Sequence, residues 1–287
     1  MSETVDREFS IIILSYNYAR YLPRAIESTL VQRGDDFETI AVDDGSTDST
    51  AQVVQGYCAG MGGRVRYIFQ DNQGPGAARN RGIALSRGRY LVFLDSDDAM
   101  LPDALHRFRS AFSQGTWVDF VWGGVLNRLS DGTIVSQPSG SITSDKVQNF
   151  RHHLGDCLGM KIGAVAVRRR ICERVRFPES NRGFEHVVFH AHLLALHGGV
   201  RFLMPYWITS LTEAACIRIW RGRSSVVSKP WRYCSIQRSF RRSVCRYERS
   251  ICVDCGCRFF MTSKECYGRI ISDWSKSIEK QFSGWLH

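Results

Sequence analysis

The sequence predicts an α/β protein built on an open, mostly parallel sheet with helices on both faces. Two observations carry this. Four apolar strand candidates alternate with three helical segments over about the first hundred residues, which is the pattern of parallel strands joined by right-handed crossovers. Polar or acidic residues then follow three of those strands directly, at Ser15-Tyr16-Asn17, Asp43-Asp44 and Asp95-Ser96-Asp97-Asp98. Open sheets of this kind bind ligands at the carboxyl ends of their strands. Three groups far apart in the chain are therefore expected along one edge.

Taken in order, Phe9–Leu14 is a continuous apolar strand rich in isoleucine. Leu22, Ala25, Ile26, Leu30 and Val31 recur at helical spacing. Phe37–Val42 is the second strand. Thr47 or Asp48 is placed to cap the helix that follows. Val65–Phe69 is the third strand, and Gly74-Pro75-Gly76 opens a helix through Ile83 and Leu85. Tyr90–Leu94 reads as a fourth strand, apolar on both faces. A helix over Leu101–Phe112 follows.

The stretch Arg89–Asp98 carries the chemistry. Three carboxylates in four residues are costly together unless a cation shares the space. Mg²⁺ or Mn²⁺ commonly sits between one or two carboxylates and a substrate phosphate. A solvated acidic turn is the alternative, and the convergence of three strand ends argues for the metal–diphosphate edge. No G-x-G-x-x-G follows the first strand, and no G-x-x-x-x-G-K-[ST] occurs, which excludes the dinucleotide and P-loop patterns. Asp43 or Asp44 can accept from a pyrimidine imide N–H, and the same pair can form an Asx turn.

Ser10–Asn17, Asp43–Asp48, Gly74–Gly82 and Gly88–Asp98 resemble, in order and spacing, the motifs of the family 2 glycosyltransferases. The resemblance implies the GT-A fold, a Rossmann-like open sheet. It also implies a metal-dependent transferase that uses a nucleotide-diphosphate sugar, usually UDP-linked, with inversion. By motif, Ser15, Tyr16 and Asn17 belong to the nucleoside pocket, and Asp43 or Asp44 to the base. Arg79 and Asn80 lie near the nucleotide, Asp95 approaches the ribose, and Asp97 or Asp98 binds Mn²⁺ or Mg²⁺. The family's acidic pair before a later helix, whose Asp is the base, corresponds to Glu185-His186 here. Neutral His can act as that base near pH 7, so the base is His186 or Glu185. His186 and His190 share a helix face, without the H-E-x-x-H pattern of a metal site.

Further along, Trp117–Val125 is a strand, and Asn127–Gln137 a hairpin around Asp131-Gly132. Asp145–Leu154 is a short helix and Ile162–Val167 a strand. A helix runs to Leu196, and strands cover Val200–Met204 and Tyr206–Leu211. The expected organisation is a nucleotide-sugar and catalytic domain over residues 1–205. A helical, basic C-terminal appendage follows over residues 206–287.

The 287 residues carry a formal net charge of +10. Its excess lies late: the stretch from Arg218 to Arg249 holds ten basic residues against the single acid Glu248. Trp231–Arg249 reads as a basic amphipathic helix. The expected partners are the sugar donor, a glycan or lipid-linked glycan acceptor, and a peripheral membrane contact through this region, with no nucleic acid. No apolar run approaches the roughly 20 residues of a span, so residence in the cytoplasm is expected, at its membrane face. The ten cysteines are then mostly reduced, and Cys252, Cys255, Cys257 and Cys266 lack a paired zinc-ribbon spacing.

Overall fold

The computed structural model describes residues 7–210, except 61, 130, 144, 146–147, 150–151, 154–159, 181–184 and 197–198. These residues belong to the first of two units, residues 1–219 and 220–287. Past residue 210 the basic appendage, with the Trp231–Arg249 helix and the late cysteines, lies outside the described residues.

Three crossovers build the first half. Strand β1 (Arg7–Ser15) leads to helix α1 (Leu22–Leu30), β2 (Phe37–Asp44), α2 (Thr50–Gly60), β3 (Val65–Gln70), α3 (Pro75–Leu85) and β4 (Gly88–Asp95). The strands pair in parallel in the order β3-β2-β1-β4. Alternate residues of β1 enter two cores. Phe9, Ile11 and Ile13 pack with Leu22 and Ile26 of α1 and Val54 of α2. Ile12 packs on the other face with Ala78 and Ile83 of α3. This period of two is why β1 is apolar throughout.

The second half is mixed. Strands β5 (Asp98–Met100), β6 (Phe120–Arg128), β7 (Ile134–Gln137), β8 (Val165–Arg168) and β9 (Gly199–Ser210) extend the sheet. Helices α4 (Ala104–Phe112), α5 (Arg169–Cys172) and α6 (Glu185–Leu196) accompany them. The pairs β4–β8, β5–β9, β6–β7 and β6–β8 are antiparallel, and β6–β9 is parallel. The expectation of a mostly parallel sheet is thus corrected to a mixed sheet with a parallel core. Apolar periodicity marks a strand but carries no pairing direction.

Several boundaries move as well. The sixth strand starts at Phe120 rather than Trp117, which is exposed. Ile162–Ala164 form a 3₁₀ turn, and the strand begins at Val165. The two late strands are one strand, β9, running through residue 205. Proline has no N–H for a ladder and is confined to edges and bulges. Pro205 sits where the β6–β9 register shifts, opposite Gly124. The hairpin about Gly132 forms as expected. Of the short helix expected over 145–154, residues 148–149 and 152–153 are helical and most of the rest lie outside the described residues.

Candidate active site

The strand ends meet as the alternation requires. Ser15 pairs with Asp43, and Leu14 pairs with Asp95. A cleft of about 440 Å³ opens at this edge. Leu14, Tyr16 and Tyr18 line it from the end of β1, and Asp44 from the end of β2. The start of α3 contributes Asn72, Gly74, Pro75 and Arg79. Asp95, Ser96 and Asp97 close it after β4.

The two adjacent acids of β2 divide the work. Asp43 is buried, its Oδ1 accepting from the Ser46 amide at 2.8 Å and its Oδ2 from Tyr67 Oη at 2.7 Å. It holds the turn. Asp44 faces the cleft. Its Oδ1 accepts from Gln70 Nε2 at 2.8 Å and from the Gln73 amide at 2.9 Å, and its Oδ2 accepts from the Gly74 amide at 2.9 Å. A carboxylate has about four acceptor sites, so one remains on Asp44; Asp44 is as buried as Asp43, and what separates the two is that Asp44 lines the cleft. Gly74 presents its N–H from φ 94°, a left-handed conformation that favours glycine.

Three expected nucleotide contacts do not line the cleft. Ser15 is buried, and its Oγ has no hydrogen-bond partner. Asn17 ties the β1 loop to the β2 loop: its Oδ1 accepts from the Thr47 amide at 2.8 Å, and its own amide donates to Ser46 Oγ at 2.9 Å. Asn80 clamps the segment before α6, donating to the Phe177 carbonyl at 2.9 Å and accepting from the Phe177 amide at 3.0 Å. The Asn17 and Asn80 side chains are spent on the scaffold. Asp48 rather than Thr47 caps α2, accepting from the Thr50 amide at 3.0 Å.

Asp95 and Asp97 share the far wall. Burial, and then the charge of Asp95, push the Asp97 carboxyl up to about 6. Arg79 answers Asp95 from one side, and the Asp97 carboxylate is of the kind a hard cation with oxygen ligands takes. Asp95 and Asp97 offer the oxygen donors that Mn²⁺ or Mg²⁺ takes, and would hold such an ion if it bound here. Among the described residues no cluster of three or more His, Cys, Asp or Glu makes a closed cage. Asp98 is not part of this wall. It opens β5 opposite Thr209, and its Oδ2 lies beside Gly163. Of the two expected metal ligands, Asp97 lines the cleft and Asp98 does not.

Arg79 is buried between two acids. Its Nη2 lies 2.8 Å from Asp95 Oδ1, and its Nη1 lies 2.6 Å from Glu185 Oε1. Glu185 begins α6 and is itself buried. Burial alone raises a carboxyl, but His186 and Arg79 hold Glu185 down to about 2. His186 is part exposed, with Nδ1 3.7 Å from Glu185 Oε1, an electrostatic contact beyond hydrogen-bond length. Neither Glu185 nor His186 lines the cleft. His190, one turn on, is fully buried with no hydrogen-bond partner at either ring nitrogen.

Comparison with known proteins gives this edge its context. Residues 10–175 match the Glycosyl transferase family 2 domain. The chain belongs to glycosyl transferase family 2. An uncharacterized glycosyltransferase of Nostoc sp. is 37% identical over 179 residues, covering 60% of this chain and 53% of the relative. The succinoglycan biosynthesis protein ExoO of Rhizobium meliloti is 46% identical over 101 residues, covering 35% of this chain and 28% of the relative. This chain thus spans about half or less of the length of these relatives. Among solved structures, residues 1–349 of S. aureus TarS in complex with UDP-GlcNAc align with TM-score 0.58 and 22% identity, covering 72% of this chain and 59% of that one. The mannosyltransferase PcManGT of Pyrobaculum calidifontis in complex with GDP-Man and Mn²⁺ aligns with TM-score 0.53 and 16% identity, covering 72% and 58%. Both likenesses concern the fold, an open mixed sheet with a parallel core of the GT-A kind.

The family match takes in the strand-end acids and ends at residue 175, before Glu185-His186. Sequence reasoning missed Tyr18, Asn72 and Pro75 as cleft residues. Tyr18 follows the strand-end group Ser15–Asn17, and Gly74-Pro75 read only as a helix start. Proximity to those signals was available, but which side chain turns inward depends on the loop path.

Proposed function

We propose that this family 2 chain transfers a sugar from a nucleotide-diphosphate sugar, UDP-linked by preference, to an acceptor hydroxyl with inversion. The observation that carries the reading is the pair Asp95 and Asp97 on the cleft wall, with the Asp97 carboxyl pushed up to about 6. That pair faces Asp44 and Tyr16 across one cleft at the strand ends. Mn²⁺ or Mg²⁺, held by Asp97 and Asp95, would neutralise the leaving diphosphate as a Lewis acid. Asp44 keeps one acceptor site for a base imide N–H, and Tyr16, half-exposed, offers a ring face to the nucleoside.

On the acceptor side, the new bond forms between the acceptor oxygen and the anomeric carbon as the bond to the diphosphate breaks. The hydroxyl proton needs a base at that moment. Glu185 is ionised but committed to Arg79. His186 is the better base: its Nδ1 lies 3.7 Å from Glu185 Oε1, and Nε2 takes the proton. The acceptor we propose is a glycan or lipid-linked glycan at the cytoplasmic membrane face. The succinoglycan relative and the basic residues between Arg218 and Arg249 support it. Among the described residues no helix is long and apolar enough to cross a membrane.

A second reading, a sugar-nucleotide-binding protein without transfer, is favoured by the commitment of Glu185 to Arg79. Calorimetric titration with UDP, with and without Mn²⁺, tests the first step. Tight binding that needs Mn²⁺ in the parent and is lost in Asp97→Asn is expected, and metal-independent or absent binding overturns the donor-site reading. Mass spectrometry of a panel of nucleotide sugars then separates the two readings, because donor hydrolysis without acceptor counts against pure binding.

A further inference from the structure

Arg79 belongs to the donor side by sequence but does not act there alone. One guanidinium, 4% exposed, bridges an acid 16 residues away on β4 and an acid 106 residues away on α6. Its Cζ also sits 5.5 Å from the ring centroid of Phe177. Phe177 stacks on Phe189 of α6 at 4.0 Å, with 12° between the planes. Asn80, the next residue of α3, holds the backbone of Phe177 at both its N–H and its carbonyl. Gly76 completes the contact. A Cβ there would fall 2.3 Å from the Pro178 carbonyl oxygen, so only glycine lets α3 approach this segment so closely. The amino end of α3 thus lines the cleft, while the same turns grip the segment before α6 and the first turn of α6 itself.

We propose that Arg79 is a positioning residue that sets the cleft carboxylate Asp95 and the Glu185-His186 turn of α6 together. This rests on the reading of the cleft as a donor site and of His186 as the base. The physical reason is the shared cation. A buried carboxylate and a cleft-facing one compete for one guanidinium, so whatever engages Asp95 changes how fully Arg79 is available to Glu185. Glu185 Oε1 is also the oxygen nearest His186 Nδ1, at 3.7 Å. A lysine cannot reproduce the arrangement, because a point ammonium lacks the planar fork that reaches two acids in fixed directions.

The test follows the ring signal of His186 by NMR in histidine-labelled full-length protein at one fixed pH, assigned with His186→Ala. The first arm uses no ligand. Asp95→Asn is expected to move the His186 signal in the parent background and to leave it in place in the Arg79→Lys background. The second arm adds UDP with Mg²⁺, which is expected to move the same signal in the parent and not in Glu185→Gln, although Glu185→Gln still binds UDP. Should Arg79→Lys fail to fold, Asp95→Asn combined with Glu185→Gln serves in its place, and the signal is expected to stay unmoved by the Asp95 change. A merely structural Arg79 would lower the melting temperature without breaking this coupling. The proposal is overturned if Asp95→Asn leaves the His186 signal unmoved in the parent, or moves it equally in either background. If UDP with Mg²⁺ does not bind the parent while the first arm succeeds, it is the donor reading that fails and the positioning role that stands.

Discussion

Tyr67 donates its hydroxyl to Asp43 at 2.7 Å and holds that acid in the scaffold, while its neighbour Asp44 lines the cleft. Burial, then the hydrogen bond to Asp43, push the tyrosine hydroxyl up, so it remains a donor across the accessible pH range. Asp44→Asn should weaken UDP binding by roughly tenfold or more, since a hydrogen bond to a charged group contributes about 1.5–3 kcal/mol. Tyr67→Phe should cost about 1 kcal/mol of stability and spare UDP affinity. Calorimetry and denaturant titration on the two variants check this, and the reverse pattern would return the base contact to Asp43.

Asp97 carries a pH signature. Its carboxyl sits at about 6 in the folded protein, against 3.8 as the ordinary value. A raised folded value means the native state binds the extra proton more tightly. The stability it contributes is present below pH 3.8 and is lost as pH rises through 6. Asp97→Asn should therefore raise the melting temperature at pH 7.5 and change it little at pH 4. Mn²⁺ should stabilise the parent at pH 7.5 and not the variant. Thermal melts at both pH values read this out, and equal behaviour of the two proteins would remove the unmet charge from the cleft wall.

Glu185 shows the opposite sign. Its folded value of about 2 lies below the ordinary 4.5. The stability from its pairing is complete above 4.5 and disappears as pH falls toward 2. Acid unfolding of the parent should steepen in that interval, and Glu185→Gln should flatten it. Removing one partner of a buried pair costs about 3–5 kcal/mol, so Arg79→Met should destabilise at neutral pH by that order. Far-UV circular dichroism across pH 2–5 would contradict the assignment if parent and Glu185→Gln lost structure in parallel.

His186 separates binding from transfer. His186→Ala should cost roughly 10²–10⁴ in kcat/KM while UDP–Mn²⁺ affinity stays close to the parent's, since the ring is not among the cleft residues. His186→Asp should restore part of the rate by returning a carboxylate to the base position. Steady-state kinetics with the active donor reads both. Full activity in His186→Ala would move the base elsewhere.

The sequence by itself determined the strand–helix alternation of the first half, the parallel core, and the collection of Ser15, Asp43-Asp44 and Asp95–Asp97 at one sheet edge. These follow from period and order, which are local properties. Tertiary structure alone decided which neighbour does what. Asp43 and Asp44 are equivalent as letters, yet Tyr67 claims one and the cleft keeps the other. Asp97 and Asp98 differ only because Asp98 opens a strand that pairs with β9. Asn17 and Asn80 carry ligand-like side chains that the scaffold consumes. Sheet direction beyond β4, and the bridge from Asp95 through Arg79 to Glu185, depend on contacts between residues up to 106 positions apart. Hydrophobic period has no direction, and a carboxylate has no address until its hydrogen-bond donors are in place.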